Sequence, residues 1–374
     1  MPQRVYCSSD ANFSVREARS IVRDLFEPNP AIYWGDFLLS MALGAGCFFA
    51  SRRVVTPYSP GQVLLALAAC FAYYRAALFI HELTHLRKES FGLFRVAWNV
   101  LCGIPFFMPS FLYHTHLAHH ARKHYGTPDD GEYLPLGIRP RGEILKYLLQ
   151  PLVIPVLAVL RFVLFTPLTW ASPRLRRFVR QRASSMVMDP SYVRPLPNPV
   201  ELRVWRFQEV GCFLYGLAAA ILFAGGWLPV SLLAHAYVTA VVVLLLNHVR
   251  TLGAHRFRHQ GEPLTFVEQL LDSVNYPRWP LTSELWAPVG LRFHALHHLF
   301  PSLPYHALPE AHRRLMRQLP GDSPYRRTES PGLLASLREL WQAAGSSSPE
   351  GASPTGRRTR TGRAAGGATM SGAA

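Results

Sequence analysis

Eight histidines in this chain fall into three tight clusters, His81 with His85, His116 with His119 and His120, and His294 with His297 and His298, and the fold has to accommodate all three. Spacings of three and four place such side chains on one face of a helix. Neutral imidazole is the commonest protein metal ligand near neutral pH, and a single zinc uses only about three or four ligands. Eight rings exceed the needs of one ion. The pattern therefore points to a dinuclear metal site built by several helices.

The clusters adjoin apolar sequence. A helix that spans a bilayer needs about 17 to 25 mostly apolar residues. Phe37 to Ala50, extended by Ile32 to Trp34, supplies one such run and Val63 to Ile80 a second; Gly211 to Leu246 is long enough for two more, divided by the turn signal Gly225-Gly226-Trp227-Leu228-Pro229. Four crossings in two hairpins follow, with the first cluster ending the second span and the third cluster following the fourth. All three clusters share a side only if the segments between them do not cross. Phe91 to Leu112, interrupted by Arg95, Pro105 and Pro109, reads as an interfacial or re-entrant piece. Leu148 to Trp170 is apolar enough to span, despite Pro151, Pro155, Arg161 and Pro167. Its flanks argue otherwise: Arg139, Arg141 and Lys146 precede it, and Arg174, Arg176, Arg177, Arg180 and Arg182 follow. The positive-inside rule puts both ends in the cytoplasm, so the segment is expected to lie along the inner surface. Arg52 and Arg53, in the outer loop of this scheme, run against that rule.

The expected fold class is thus an all-α integral membrane protein, with four transmembrane helices and a cytoplasmic helical cap that carries the metal site. A hydrophobic share of 49% is too low for a bundle of spans alone and leaves room for the cap. Residues 1–31 form a cytoplasmic N-terminal segment in this scheme and 32–343 the membrane domain. Residues 344–374, rich in Gly, Ser, Ala, Thr and Arg, have the composition of a disordered tail. A net charge of +16 suits the anionic lipids of an inner leaflet or an acidic protein partner. Nucleic acid is not expected, because the arginines flank apolar segments and no nucleic-acid motif is present. The five cysteines, Cys7, Cys47, Cys70, Cys102 and Cys212, lack the paired spacing of a metal or redox motif and read as packing residues. No short apolar core with a cleavage site opens the chain, so the first span is expected to direct insertion, most simply into the cell inner membrane.

Taken alone, His81-Glu82-Leu83-Thr84-His85 matches the H-E-x-x-H of zinc proteases, in which the glutamate activates water. That reading leaves most of the other clustered histidines without a role. The order H-x-x-x-H, H-x-x-H-H and a distant H-x-x-H-H between hydrophobic hairpins resembles the membrane fatty acid desaturases and their hydroxylase and ketolase relatives. The resemblance covers about Ile32 to Arg317 and is strongest in His294-Ala295-Leu296-His297-His298-Leu299-Phe300-Pro301. It implies two iron ions (Fe2+/Fe3+) that activate dioxygen, and removal of two hydrogens from a fatty acyl chain to leave a double bond. Hydroxylation or ketolation of a lipid or carotenoid on the same scaffold is the alternative.

The resemblance also implies a ninth histidine after the last span. His255 is the candidate because Asn247, Thr251 and His255 recur every four residues, with His248 and His259 as rivals. Asn247 is a candidate for holding a metal-bound water, although it stands two turns from His255 where the relatives have one. Metal-bound imidazoles usually donate their second ring N–H to a carboxylate or carbonyl, which makes Glu82 and Glu284 the first candidates as partners and Asp129, Asp130 and Asp272 further ones. Trp98, Phe106, Phe107 and Trp286 are candidates for lining an acyl tunnel. The sequence carries no cysteine set for an iron–sulfur cluster and no dinucleotide fingerprint, so the electrons are expected from a separate ferredoxin or cytochrome donor.

Overall fold

A computed structural model describes residues 13–346 except 55, 87–90, 260, 262 and 263, so that Cys7 and the expected tail from 347 onward lie outside the described residues. The described chain is all-helical, with isolated β-bridges and no strand. Local sequence accounts for most helix starts. Ser14 caps α1 (Val15–Ile21), Asn29 caps α2 (Pro30–Arg53) and Ser59 caps α3 (Pro60–His85), each by accepting a backbone N–H, and proline occupies the first position of α2 and α3. The short connection after Arg53 makes α2 and α3 an antiparallel pair, and Arg75 on α3 grips Asp36 on α2 at 2.6 Å.

After α4 (Gly92–Trp98) and a π-helical turn at Asn99–Gly103, the chain reaches the five-residue helix α5 (His116–His120). There follow α6 (Arg141–Leu149), the apolar α7 (Ile154–Ala171) and the basic α8 (Pro173–Arg182). A capping box of Asn198 and Glu201 starts α9 (Pro199–Ala224). Gly226, at φ +73°, makes the turn into α10 (Val230–Ala254), a left-handed conformation that glycine adopts without a steric penalty. Short helices complete the fold: α11 (Phe266–Asp272), α12 (Pro280–Trp286), α13 (His294–Leu299), α14 (Leu308–Gln318) and α15 (Leu333–Ser346).

Five helices, α2, α3, α7, α9 and α10, are long and apolar enough to cross a membrane. Exposed leucines and phenylalanines on α2 and α9, among them Leu39, Leu43, Phe49, Phe207 and Leu214, suit a lipid-facing surface. The fifth, α7, is the segment expected along the inner surface; it packs against α9, and the residues just before it pack against α10. Just before α7, Tyr147 of α6 lies beside His248 of α10 at 4.4 Å between ring centroids, and the Tyr237 hydroxyl of α10 donates to the Leu152 carbonyl at 2.7 Å. Arg161, buried within the apolar run, is satisfied by Glu209 of α9, by the Ala183 carbonyl at 2.8 Å and by Thr166 and Ser184. A charge in that position is tolerable only when so fully paired.

One large core joins the first hairpin to the C-terminal helices, with Tyr33, Phe37, Phe79 and Trp98 packed in the same cluster as Leu296, Phe300, Leu308 and Tyr325. Helix α15 continues past the expected domain end at 343, and Ala344 is buried against a second core around Tyr147 and Leu340. The α2–α3 pair packs tightly at Gly44, where an added Cβ would meet the Tyr73 ring at 2.6 Å, whereas Gly46 faces open space. Gly44→Leu is therefore expected to cost about 1–3 kcal/mol by overpacking and to lower the Tm in detergent, while Gly46→Leu leaves it nearly unchanged.

Candidate metal centre

Three helix ends and one loop carry the histidines. His81 and His85 close α3, His116, His119 and His120 form α5, and His294, His297 and His298 open α13. His255 lies just beyond the end of α10, in extended conformation at φ −132° and ψ 163°, bridged to Ser273. The expectation that a helical face carries Asn247, Thr251 and His255 together is corrected here, since the helix stops at Ala254.

These nine histidines gather into two groups: His81, His85, His116, His120 and His297 in one, His119, His255, His294 and His298 in the other, with the ligand atoms of each group within 4.8 Å of one another. Helix geometry explains the division. Residues four apart differ by about 40° around the axis and adjacent residues by about 100°. In each H-x-x-H-H, the first and last rings accordingly enter one group while the middle ring turns to the other. The single shared face expected from the spacing is thus two faces. The groups adjoin, with the His120 and His298 rings stacked at 4.2 Å.

Within the groups, nitrogen faces nitrogen. His116 Nε2 lies 2.9 Å from His120 Nε2, His297 Nε2 3.1 Å from His120 Nε2, His294 Nε2 2.9 Å from His255 Nε2 and His298 Nε2 3.1 Å from His294 Nε2. Both ring nitrogens of His81 and Nε2 of His85 are buried without a hydrogen-bond partner. Burial, reinforced by neighbouring imidazoles, holds His116, His120, His294, His297 and His298 well below the usual histidine range, so they are neutral, the form that ligates metal. Such lone pairs converging in a buried space fit a cation. Metal–imidazole bonds of about 2.0–2.1 Å put opposed nitrogens about 4 Å apart, close to the observed spread.

The outer ring nitrogens meet acids. His116 Nδ1 lies 2.8 Å from Glu132 and His119 Nδ1 2.9 Å from Asp130. His255 Nδ1 meets the Tyr125 hydroxyl at 2.8 Å, which in turn donates to Asp272 at 2.7 Å. The backbone N–H groups of Gly126 and Glu132 hold Asp130 at 3.0 Å each. Burial works against protonation of His119, but Asp130 and its neighbouring acids outweigh it and raise its pKa, while burial pushes Glu132 up to about 8. This arrangement orients the His116, His119 and His255 rings and leaves their Nε2 atoms pointing inward.

The acids expected from the sequence are placed differently. Glu82 accepts from the Tyr33 hydroxyl at 2.6 Å and the Tyr305 N–H at 3.3 Å, and stands 3.8 Å from His81 Nδ1. Glu284 joins Arg75 and Arg292, and Asn247 accepts from Arg250 at 2.8 Å. Asp129 faces solvent. Glu132 and Tyr125 were not anticipated; both follow the second histidine cluster, and the only signal was the acidic run Asp129-Asp130-Gly131-Glu132. Of the rivals to His255, His248 bonds the Leu244 carbonyl at 2.8 Å and His259 lies beside Tyr133, and neither belongs to the two groups. Trp98 is a core residue whose indole N–H donates to Ala76.

The sequence profile of the fatty acid desaturase family matches residues 58–329, a span that includes all nine histidines. This chain belongs to the fatty acid desaturase family. A ceramide hydroxylase of Caulobacter vibrioides (strain NA1000 / CB15N) is 40% identical to it over 329 residues, 87% of this chain and 93% of that protein. Membership sets aside the zinc protease reading of His81 to His85, as does the sharing of those two rings with His116, His120 and His297. For this desaturase-family protein, Asp130→Ala and Glu132→Ala are each expected to weaken metal retention about 10- to 100-fold in chelator competition. Asp129→Ala, whose side chain is 80% exposed, should leave retention unchanged.

Proposed function

We propose that this desaturase-family protein is a membrane oxidase that hydroxylates the chain of a ceramide-type lipid at a histidine-held pair of irons. The observation that carries the reading is the pair of adjoining, buried, all-histidine groups, and the ceramide hydroxylase at 40% identity gives it a substrate class. His81, His85, His116, His120 and His297 would hold one iron and His119, His255, His294 and His298 the other. When bound, the pair supplies reductive activation of dioxygen. The chain's own residues do the rest. Asp130, Glu132 and the Tyr125–Asp272 pair fix the rings, the surrounding core keeps bulk water away, and the apolar helices guide an alkyl chain to the site. In the net reaction dioxygen, two electrons and two protons convert one C–H bond to C–OH and leave one water. The electrons come from a separate ferredoxin or cytochrome donor, and the basic helix α8 is a surface suited to an acidic one.

Desaturation of a fatty acyl chain is the second reading, favoured by the family profile itself. Product analysis separates them. Purified protein supplied with ceramide, reductant and isotopically labelled dioxygen is expected to yield a lipid that has gained one labelled oxygen; a product lacking two hydrogens and carrying no label would establish desaturation instead.

The reading needs every histidine on one side, which we assign to the cytoplasm. Helices α2, α3, α9 and α10 make the four crossings, and α7 dips between α9 and α10 and returns. Supporting this path, Tyr147 lies by His248 near the inner end of α10, Leu152 lies by Tyr237 deeper along it, and Arg161 returns to Glu209 in the first half of α9. Single cysteines at Lys146 and Arg182, in a background lacking the native five, are expected to resist a membrane-impermeant thiol reagent in intact cells and to react after permeabilisation. Labelling of only one of the two from outside would make α7 a fifth crossing.

A further inference from the structure

Between α11 and α13 the chain makes a short projection, Arg278 to Leu285, whose apolar side chains neither the cap nor the metal site uses. Trp279 is 74% exposed, Leu281 86% and Leu285 53%. Leu281 and Leu285 stand four apart on one face of α12, while Ser283 between them is buried. The projection is rigid. The Arg292 guanidinium ties its two ends together, donating to Glu284 at 3.1 Å and to the carbonyls of Tyr276 and Pro277 at 3.3 and 3.4 Å. Trp279 is held at φ 53°, a left-handed conformation that few residues with a side chain adopt, and its carbonyl accepts from the Ser283 N–H at 2.9 Å. Backbone kept in that region tends to mark a functional surface.

The anchors of the projection fix its depth. Arg75 of α3 bonds Glu284 at 3.2 Å, and the neighbouring Tyr74 hydroxyl donates to the Trp286 carbonyl at 3.1 Å. Both anchors lie inside the apolar run Val63 to Ile80, with Arg75 five residues before its inner end, about 8 Å along the helix. Helices that lie in a membrane interface bury their apolar face about 5–10 Å deep. Asp36, the other partner of Arg75, stands on α2 just before the exposed Leu38 and Leu39. The apolar face of the projection therefore continues the lipid-facing surface of the spans. We infer that Trp279, Leu281 and Leu285 form a wedge of the cap that is set into the hydrocarbon edge of the leaflet on the histidine side. The chain enters and leaves that leaflet on one side, so the seven residues of α12 cross nothing. Trp279 suits the headgroup boundary, where indole rings concentrate, and the exposed Arg278 beside it can reach lipid phosphate. A soluble protein partner could not reach a face at that depth. Arg292, at the foot of the wedge, is two residues from His294, so the metal centre is moored to the bilayer there.

The test places single spin-labelled cysteines at Leu281, Leu285, Leu39 and Arg317, all exposed positions, in the full-length chain lacking its native cysteines. Each protein is reconstituted at one chain per nanodisc of phosphatidylcholine and phosphatidylglycerol. Dioxygen concentrates in hydrocarbon and a nickel chelate in water, so the ratio of their collision rates with a label reads its depth. Labels at Leu281 and Leu285 are expected to match the one at Leu39, with a ratio severalfold above that at Arg317 on α14. A ratio at Leu281 and Leu285 as low as that at Arg317 overturns the inference. So does protection from both reagents, which would place a protein surface over the wedge. A Leu39 label open to nickel would overturn the span assignment and the wedge with it. These outcomes are independent of which lipid the protein oxidises, so a failure of the hydroxylase reading would leave the wedge standing.

Discussion

The structure depends on gathering nine imidazoles nitrogen to nitrogen, seven of them buried and His85 and His120 half-buried. Neutral rings facing one another cannot all be satisfied by each other, because each has a single N–H to give. His81 shows this most plainly, with both ring nitrogens buried and unpaired. Such a centre is stable only if something in its middle accepts the lone pairs, and if the rings are held there from outside. The outer supports are Asp130, Glu132 and the Tyr125–Asp272 pair, all brought in by the loop after α5 and by α11.

Holding four distant stretches of chain at one point also requires rigid connections between them. A chain of ion pairs runs from Asp36 on α2 through Arg75 on α3 to Glu284 on α12 and Arg292 just before α13. Alongside it, Glu82 links the Tyr33 hydroxyl to the Tyr305 backbone. The glutamate inside the first histidine cluster and the one before the third therefore tie helices together rather than orient rings. With Arg75 30% and Glu284 35% exposed, water screens these pairs, so they set the geometry of the helices more than the stability of the fold.

The histidine clusters and the main apolar helices were legible in the sequence because spacing and hydropathy are local properties. What the sequence could not convey was set by distant partners. Arg161 read as an interruption of an apolar run, yet Glu209, 48 residues later, neutralises it and lets α7 pack against α9. Spacings of three and four look equivalent on a helical wheel, so the division of His119 from His116 and His120 emerged only once a second group of rings stood opposite. Glu132 and Tyr125 lie in irregular chain, where no periodicity marks a side chain that turns inward.

The central claim is that two adjoining sites each hold one metal ion. Metal analysis of the purified protein, repeated on variants that disable one group at a time, tests it most directly. About two irons per chain are expected in the wild type, with about one remaining when His85 and His297 are replaced together by alanine, and about one when His255 and His294 are replaced instead. A single zinc in the wild type, or loss of all metal-binding stoichiometry from one group with no change from the other, would contradict the account.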